Sequence, residues 1–467
     1  MNLWILTEER PKIKVLQQIL AKFANDRKLD DFKDNLRILP ILKGNKFTFT
    51  YELTGFRCNK VNKIFIKTVS GNSSFVDFLV FYQDKEPTIK DTPIYAIEET
   101  KTDDSESRNT GVYQRCSKFV YINRFYPKVP KIMLYNLQIE QKEYPTGTNI
   151  FGTRLLLTLG VEILGKKTLD PKIFKPFKSI DELIEFKNNM GKPPKGNVPI
   201  DITKKNDKIE VSGRLFKSGS LSHDPNIGAL SIISAVIRQL GWEKDIVITL
   251  HGLKQEHIKS KNKFILIANM LDLKLDGLKM VTAKDRTDYW HYDLKGEKLG
   301  TIFLHIVVEN FTKGKGDSIF ENHAGSEKGY FITPTGKPIP LAKYNDRAKY
   351  KAGDKKEIIA IPDLILKDSG RSEIIICEGK KWESRQNGID ELANYGPMEK
   401  KYINEHYPKF SIIRTVVLYG STIETPPAEV KVGFVLNENG GLVLGTKAPE
   451  LFQDAIRNLL NFWKQKL

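Results

Sequence analysis

Cysteine is scarce. The chain has three, Cys58, Cys116 and Cys377, among 467 residues, far apart and with no CxxC pair. A disulfide framework and a thiolate zinc site are therefore not expected, and a reducing interior is. No apolar run approaches the ~18 residues of a membrane span, and the opening NLWIL is too short for a secretory signal. A soluble, cytoplasmic protein is expected. The seven histidines show neither HExxH nor a paired spacing, which argues against a zinc enzyme. A GxxxxGK[ST] loop is absent, as are a GxGxxG after a strand and any helix-turn-helix or RNA-binding-sheet signature. ATP-driven motors and dinucleotide enzymes lose their usual support.

Positive charge is plentiful. Lys and Arg number 74 against 57 Asp and Glu, a net charge of +17. Such an excess makes a polyanion the expected partner, because phosphates attract cations and release counterions on binding. Hydrophobic residues make up 40% and aromatics 10%, so the chain can build real cores.

The apolar patterns predict mixed α/β structure in three consecutive stretches. Residues 1–165 open with the strand NLWIL and a helix around 9–26, followed by strand-like runs and a helix near 110–125. Residues 166–310 are read as a basic linker and connecting or target-recognition region. Their start, with GKKTLDPKIFKPFKS and NNMGKPPKGNVPID, is rich in Lys, Pro, Gly and Asn. Residues 311–467 return to strands and end in an amphipathic helix over 449–466, with Leu451, Ala455, Leu459, Leu460 and Trp463 as its expected buried stripe.

Residues 361–381 read IPDLILKDSGRSEIIICEGKK, and this run places acid where a sheet interior should be dry. Asp363 is expected just inside one strand and Glu378 near the end of the next. Side chains two apart on a strand share a face, so Glu378 and Lys380 project together. If the strands pair antiparallel, Asp363 comes beside Glu378. Two carboxylates that close repel unless a cation binds, and magnesium favours one or two carboxylates with waters and phosphate oxygens. The alternative is two surface strands ending in solvated acids. A second run at 75–101, FVDFLVFYQDKEPTIKDTPIYAIEETK, carries Asp77, Glu99 and Lys101, with Glu98 as an additional acid.

Asp363, Glu378 and Lys380, preceded by Pro362, resemble the PD-(D/E)xK motif of the restriction-endonuclease-like nucleases. Asp77, Glu99 and Lys101 resemble a second copy without the proline. The intervening stretches are 14 and 21 residues. The resemblance covers roughly 45–160 and 311–467 and does not reach the middle of the chain. It implies two restriction-endonuclease-like α/β cores and a sequence-specific, magnesium-dependent endonuclease acting on double-stranded DNA, similar to type II restriction enzymes with two catalytic sites in one chain. Manganese is an alternative metal, and the active form is a monomer or homodimer. In that reading Asp363, Glu378, Asp77 and Glu99 bind metal, and Lys380 and Lys101 orient the attacking water. Glu321 is the upstream acid expected at the C-terminal site and Glu52 at the first. Gln114 is an accessory residue from the helix after Lys101. Two rivals stay open: a structure-specific, CRISPR-associated or repair nuclease, and a DNA-binding protein whose nuclease-like domains are inactive.

Overall fold

In a computed structural model of the chain, the described residues are all but 72–74, 101–109, 137–146, 167–169, 191–199, 216–220, 222–224, 285–287, 347–348, 351–352 and 467. The side chains of 31–34, 110–115 and 225 likewise fall outside the description. The structure is mixed α/β and divides into two compact units. One contains Met1–Val69, Gln83–Lys85 and Tyr292–Leu467, the other Ser70–Tyr82 and Glu86–His291. This is not the consecutive division 1–165, 166–310 and 311–467. Composition reports where loops and charge lie, whereas unit membership follows which strands and helices share a core.

The first unit opens with β1 (Asn2–Thr7), α1 (Ile13–Arg27), β2 (Asp31–Lys43), β3 (Lys46–Cys58) and β4 (Ile64–Gly71). β2, β3 and β4 form an antiparallel ladder, and β1 lies parallel to β4. α1 buries Val15, Leu16, Ile19, Leu20 and Phe23, an i, i+3/i+4 stripe, and stops where Lys28 turns left-handed (φ 51°).

The second unit contains β5 (Phe78–Gln83), β6 (Tyr95–Thr100), α2 (Thr110–Ile122), β7 (Lys131–Tyr135), α3 (Gly147–Thr158) and β8 (Glu162–Leu164). β5 and β6 are antiparallel, while β7 and β8 continue parallel to β6. α4 (Ile180–Asn189), β9 (Asp201–Lys204), β10 (Lys208–Arg214), α5 (Pro225–Gln239), β11 (Asp245–His251), α6 (Lys263–Met270) and β12 (Leu273–Leu275) follow. The last four strands form a second sheet in the order β12–β11–β10–β9. The basic stretch after 165 is thus more than a linker: it buries Phe174, Phe177 and Leu183 and supplies two strands.

After β13 (Trp290–Tyr292), the first unit resumes with α7 (Lys298–Phe311), β14 (Gly316–Glu321), β15 (Lys328–Ile332), β16 (Pro338–Ala342), β17 (Leu364–Asp368) and β18 (Glu373–Lys381). Next come α8 (Arg385–Glu391), a run of short helical turns to residue 406, β19 (Ser411–Ser421), β20 (Val432–Asn437), β21 (Leu442–Leu444) and α9 (Glu450–Lys464). The sheet order is β14–β17–β18–β19–β20–β21. β17 and β18 are antiparallel, and β19 and β20 run parallel to β18. α9 buries Leu451, Phe452, Ala455, Ile456 and Leu459, while Leu460 is exposed. Its apolar face is rotated from the expected stripe by about one residue.

α7 is the helix on which this sheet is laid. It packs against β14, β18, β19, β20 and α9, and eleven of its residues are buried. KLGTIFLHIVVENF is apolar on every side, so it shows no polar face from which a 3.6-residue period could be read. Gly300 lets the helix approach the sheet: a Cβ there would lie 2.8 Å from the Leu418 carbonyl oxygen. Gly300→Ala should therefore lower stability by about 1–3 kcal/mol through overpacking, measured by denaturant unfolding. An unchanged midpoint would mean that α7 does not pack this closely.

Candidate active site

The β17–β18 ladder pairs Leu364 with Cys377, which sets Asp363 opposite Glu378. Asp363 lies just before β17 and not inside it, because Pro362 carries no N–H for the ladder. Its Oδ2 accepts the Gly379 N–H at 2.8 Å. Glycine at 379 has a steric reason: a Cβ would lie 2.9 Å from that same oxygen and 2.8 Å from Thr301 on α7.

Glu378 is 5% exposed. The Lys380 ammonium donates to its Oε1 at 2.6 Å and also meets Glu391 of α8 at 2.9 Å. The Tyr395 hydroxyl donates to Oε2. Burial pushes the Glu378 carboxyl up to about 8, helped by the Asp363 charge. Asp363 keeps some surface open to solvent, yet burial remains the main cause that carries it up to about 6. Burial alone would lower Lys380, but the Glu378 and Glu391 carboxylates hold it above its ordinary range. Three acids thus surround one lysine, and two of the acids cannot both ionise cheaply. A hard divalent cation fits this donor set, because it would offset the cost that burial puts on charging either carboxyl.

In the second unit the same strand order recurs, with antiparallel β5–β6, then α2, then parallel β7 and β8. The register differs from the spacing that sequence suggests. Phe78 pairs with Ile97, so Asp77 stands opposite Glu98, as Asp363 stands opposite Glu378. Asp77 accepts the Glu99 N–H at 2.6 Å, as Asp363 accepts that of Gly379. Two residues beyond Glu98 is Thr100, where Lys380 stands beyond Glu378. Glu98 is 1% exposed and is paired at 2.8 Å with Lys118 of α2. Lys263, lowered to about 8 chiefly by burial and then by Lys118, senses Glu98 as well. Glu99 projects the other way and accepts the Asn136 amide at 2.9 Å. Lys101 and the Gln114 side chain lie outside the described residues. Glu52 sits on β3 in the first unit with Lys63 at 3.4 Å.

Glu321 does not join Asp363 and Glu378. It pairs with Leu364, so it faces α7, near His305 on that helix and His323 just past β14; one ligand atom from each of these three residues falls within 4.8 Å of the others. This group could hold a metal ion. Sequence spacing showed no histidine pair, because one histidine is on a helix and the other follows a strand. The readable traces are His305 and Glu309 at i, i+4 and Glu321 and His323 at i, i+2, but only once the helix and strand are known.

No protein-family model, curated protein or solved structure matches the chain. Among the described residues, no helix is long and apolar enough to cross a membrane.

The raised carboxyls make metal-free stability depend on pH. A carboxyl held protonated by the fold contributes fully below its ordinary value of 4.5 and loses that contribution as pH rises through about 8. The unfolding midpoint of chelator-treated protein should fall across that window. Glu378→Gln should flatten the fall, and magnesium should raise the midpoint more at the alkaline end than at the acid end. An equally steep fall in Glu378→Gln would remove Glu378 as its source.

Proposed function

We propose that the chain is a metal-dependent endonuclease acting on double-stranded DNA, with its principal active site at Asp363, Glu378 and Lys380. The observation that carries this reading is the buried Asp363–Glu378 pair across β17–β18, with Lys380 on the Glu378 face. The net charge of +17 supports a polyanionic substrate. Asp363 and Glu378 would hold a magnesium ion, which when bound polarises a phosphoryl oxygen and lowers the pKa of its water. Lys380 holds an attacking water near its ammonium and offsets negative charge developing on the phosphate. Tyr395 and Glu391 fix the rotamers of Glu378 and Lys380, so the site is positioned before substrate arrives.

The repeated order of strands supports a second restriction-endonuclease-like core around Asp77. There, however, the acid opposite Asp77 is Glu98, which is ion-paired with Lys118 and also feels the Lys263 charge, whereas at the first site one lysine, Lys380, is shared between Glu378 and Glu391. This site takes a cation less readily than the first. A site-specific restriction enzyme with two sites of unequal strength is the proposed identity, and a nicking or structure-specific nuclease is the nearest alternative.

Plasmid digestion in magnesium tests the assignment. Lys380→Ala and Asp363→Asn should each reduce cleavage by roughly 10²–10³-fold, with far-ultraviolet circular dichroism unchanged. Full activity in both variants would remove the site from the reading. At the second site, Glu98→Gln should alter strand cutting more than Glu99→Gln does. The reverse order would place Glu99, not the acid in register with Asp77, at the chemistry.

A further inference from the structure

The cluster beneath α7 can be worked through atom by atom. His305 is fully buried on α7, and its Nε2 lies 3.0 Å from Glu309 Oε1. The Glu309 carboxylate is ion-paired with Arg10, so it is an acceptor only, and His305 Nε2 must carry the hydrogen. His323 Nδ1 lies 3.1 Å from Thr301 Oγ1, whose own hydrogen is donated to the Lys298 carbonyl at 3.0 Å. With its hydrogen so directed, Thr301 accepts, and His323 Nδ1 carries a hydrogen too. In the neutral rings this leaves His305 Nδ1 and His323 Nε2 as bare lone pairs, and these two atoms face each other at 3.0 Å. Two acceptors at hydrogen-bond distance with nothing between them repel. A metal ion between them would turn that repulsion into coordination.

A proton would create an imidazolium in a fully buried site beside Arg10. A metal ion suits the geometry better. Tetrahedral ligands at metal–ligand distances of ~2.0–2.1 Å stand roughly 3.3 Å apart. The observed separations bracket that, 3.0 Å between the imidazole nitrogens and 3.6 Å from His305 Nδ1 to Glu321 Oε2. Each imidazole also has its outer N–H anchored by an oxygen, the outer support that orients metal-binding histidines. Arg10 at 3.5 Å and Lys12 at 3.3 Å now neutralise Glu321, so an entering ion competes with them.

We propose that His305 (Nδ1), His323 (Nε2) and Glu321 form a second metal site, separate from the carboxylate pair and suited to a first-row divalent transition metal, with zinc as its expected occupant. Two imidazoles and a carboxylate are borderline donors that prefer zinc, cobalt or iron to magnesium. The ion would fasten α7 to the end of β14 and the chain beyond it. This inference stands whether or not the nuclease reading does.

The test is a cobalt(II) titration of chelator-stripped full-length protein, read by ligand-field absorption in the visible. Saturation at one equivalent is expected, with cobalt displaced by zinc and not by magnesium. His323→Ala should abolish the band, and Asp363→Asn should leave it intact. Absence of the band, its survival in His323→Ala or its loss in Asp363→Asn would each overturn the proposal. Should His323→Ala fail to fold, anomalous scattering from zinc-soaked crystals of the natural protein decides. A peak among His305, His323 and Glu321 supports the site, and a peak elsewhere or none overturns it.

Discussion

The pairing of β17 with β18 is the interaction on which the rest of the candidate active site depends. It brings Asp363 opposite Glu378 at a depth where water cannot fully screen either carboxylate. Everything around the pair follows from that expense. Gly379 gives its N–H to Asp363, Lys380 and Tyr395 give hydrogens to Glu378, and Glu391 holds the far side of Lys380. An isolated buried charge would be intolerable, and this arrangement stays buried because each carboxylate has donors.

α7 ties the pair to the second cluster. Its residue Thr301 would touch any side chain placed at 379 and shares a hydrogen bond with His323, and one turn on is His305. Glu378 and Lys380 face the helical turns after β18, and Glu321 faces α7. Strand alternation alone separates acids that lie close in the chain fold.

The two D…E hairpins show how much a single residue of register matters. Both follow the order antiparallel strand, helix, parallel strand, and both aspartates accept the backbone N–H one residue beyond the facing glutamate. Yet the facing acid is Glu98 in one and Glu378 in the other, and only Glu378 has a lysine two residues on. A shift by one along a strand reverses the face of every side chain. The C-terminal site sets Asp363, Glu378 and Glu391 around the one lysine Lys380, whereas Glu98 is met by Lys118 and sensed by Lys263.

What the sequence by itself determined is local. Apolar runs placed β1, β17 and β18, and the helices α1, α2 and α9 were legible close to where the structure has them. The motif acids at 363 and 378 with Lys380 could be picked out, because residues two apart on a strand share a face whatever the strand packs against. Only the tertiary structure decided the rest. It chose which glutamate faces Asp77, because register is set by the partner strand. It joined the opening strands with the C-terminal stretch, because long-range pairing ignores composition. It also brought together His305, Glu321 and His323, because a uniformly apolar helix hides its faces until it is buried against a sheet.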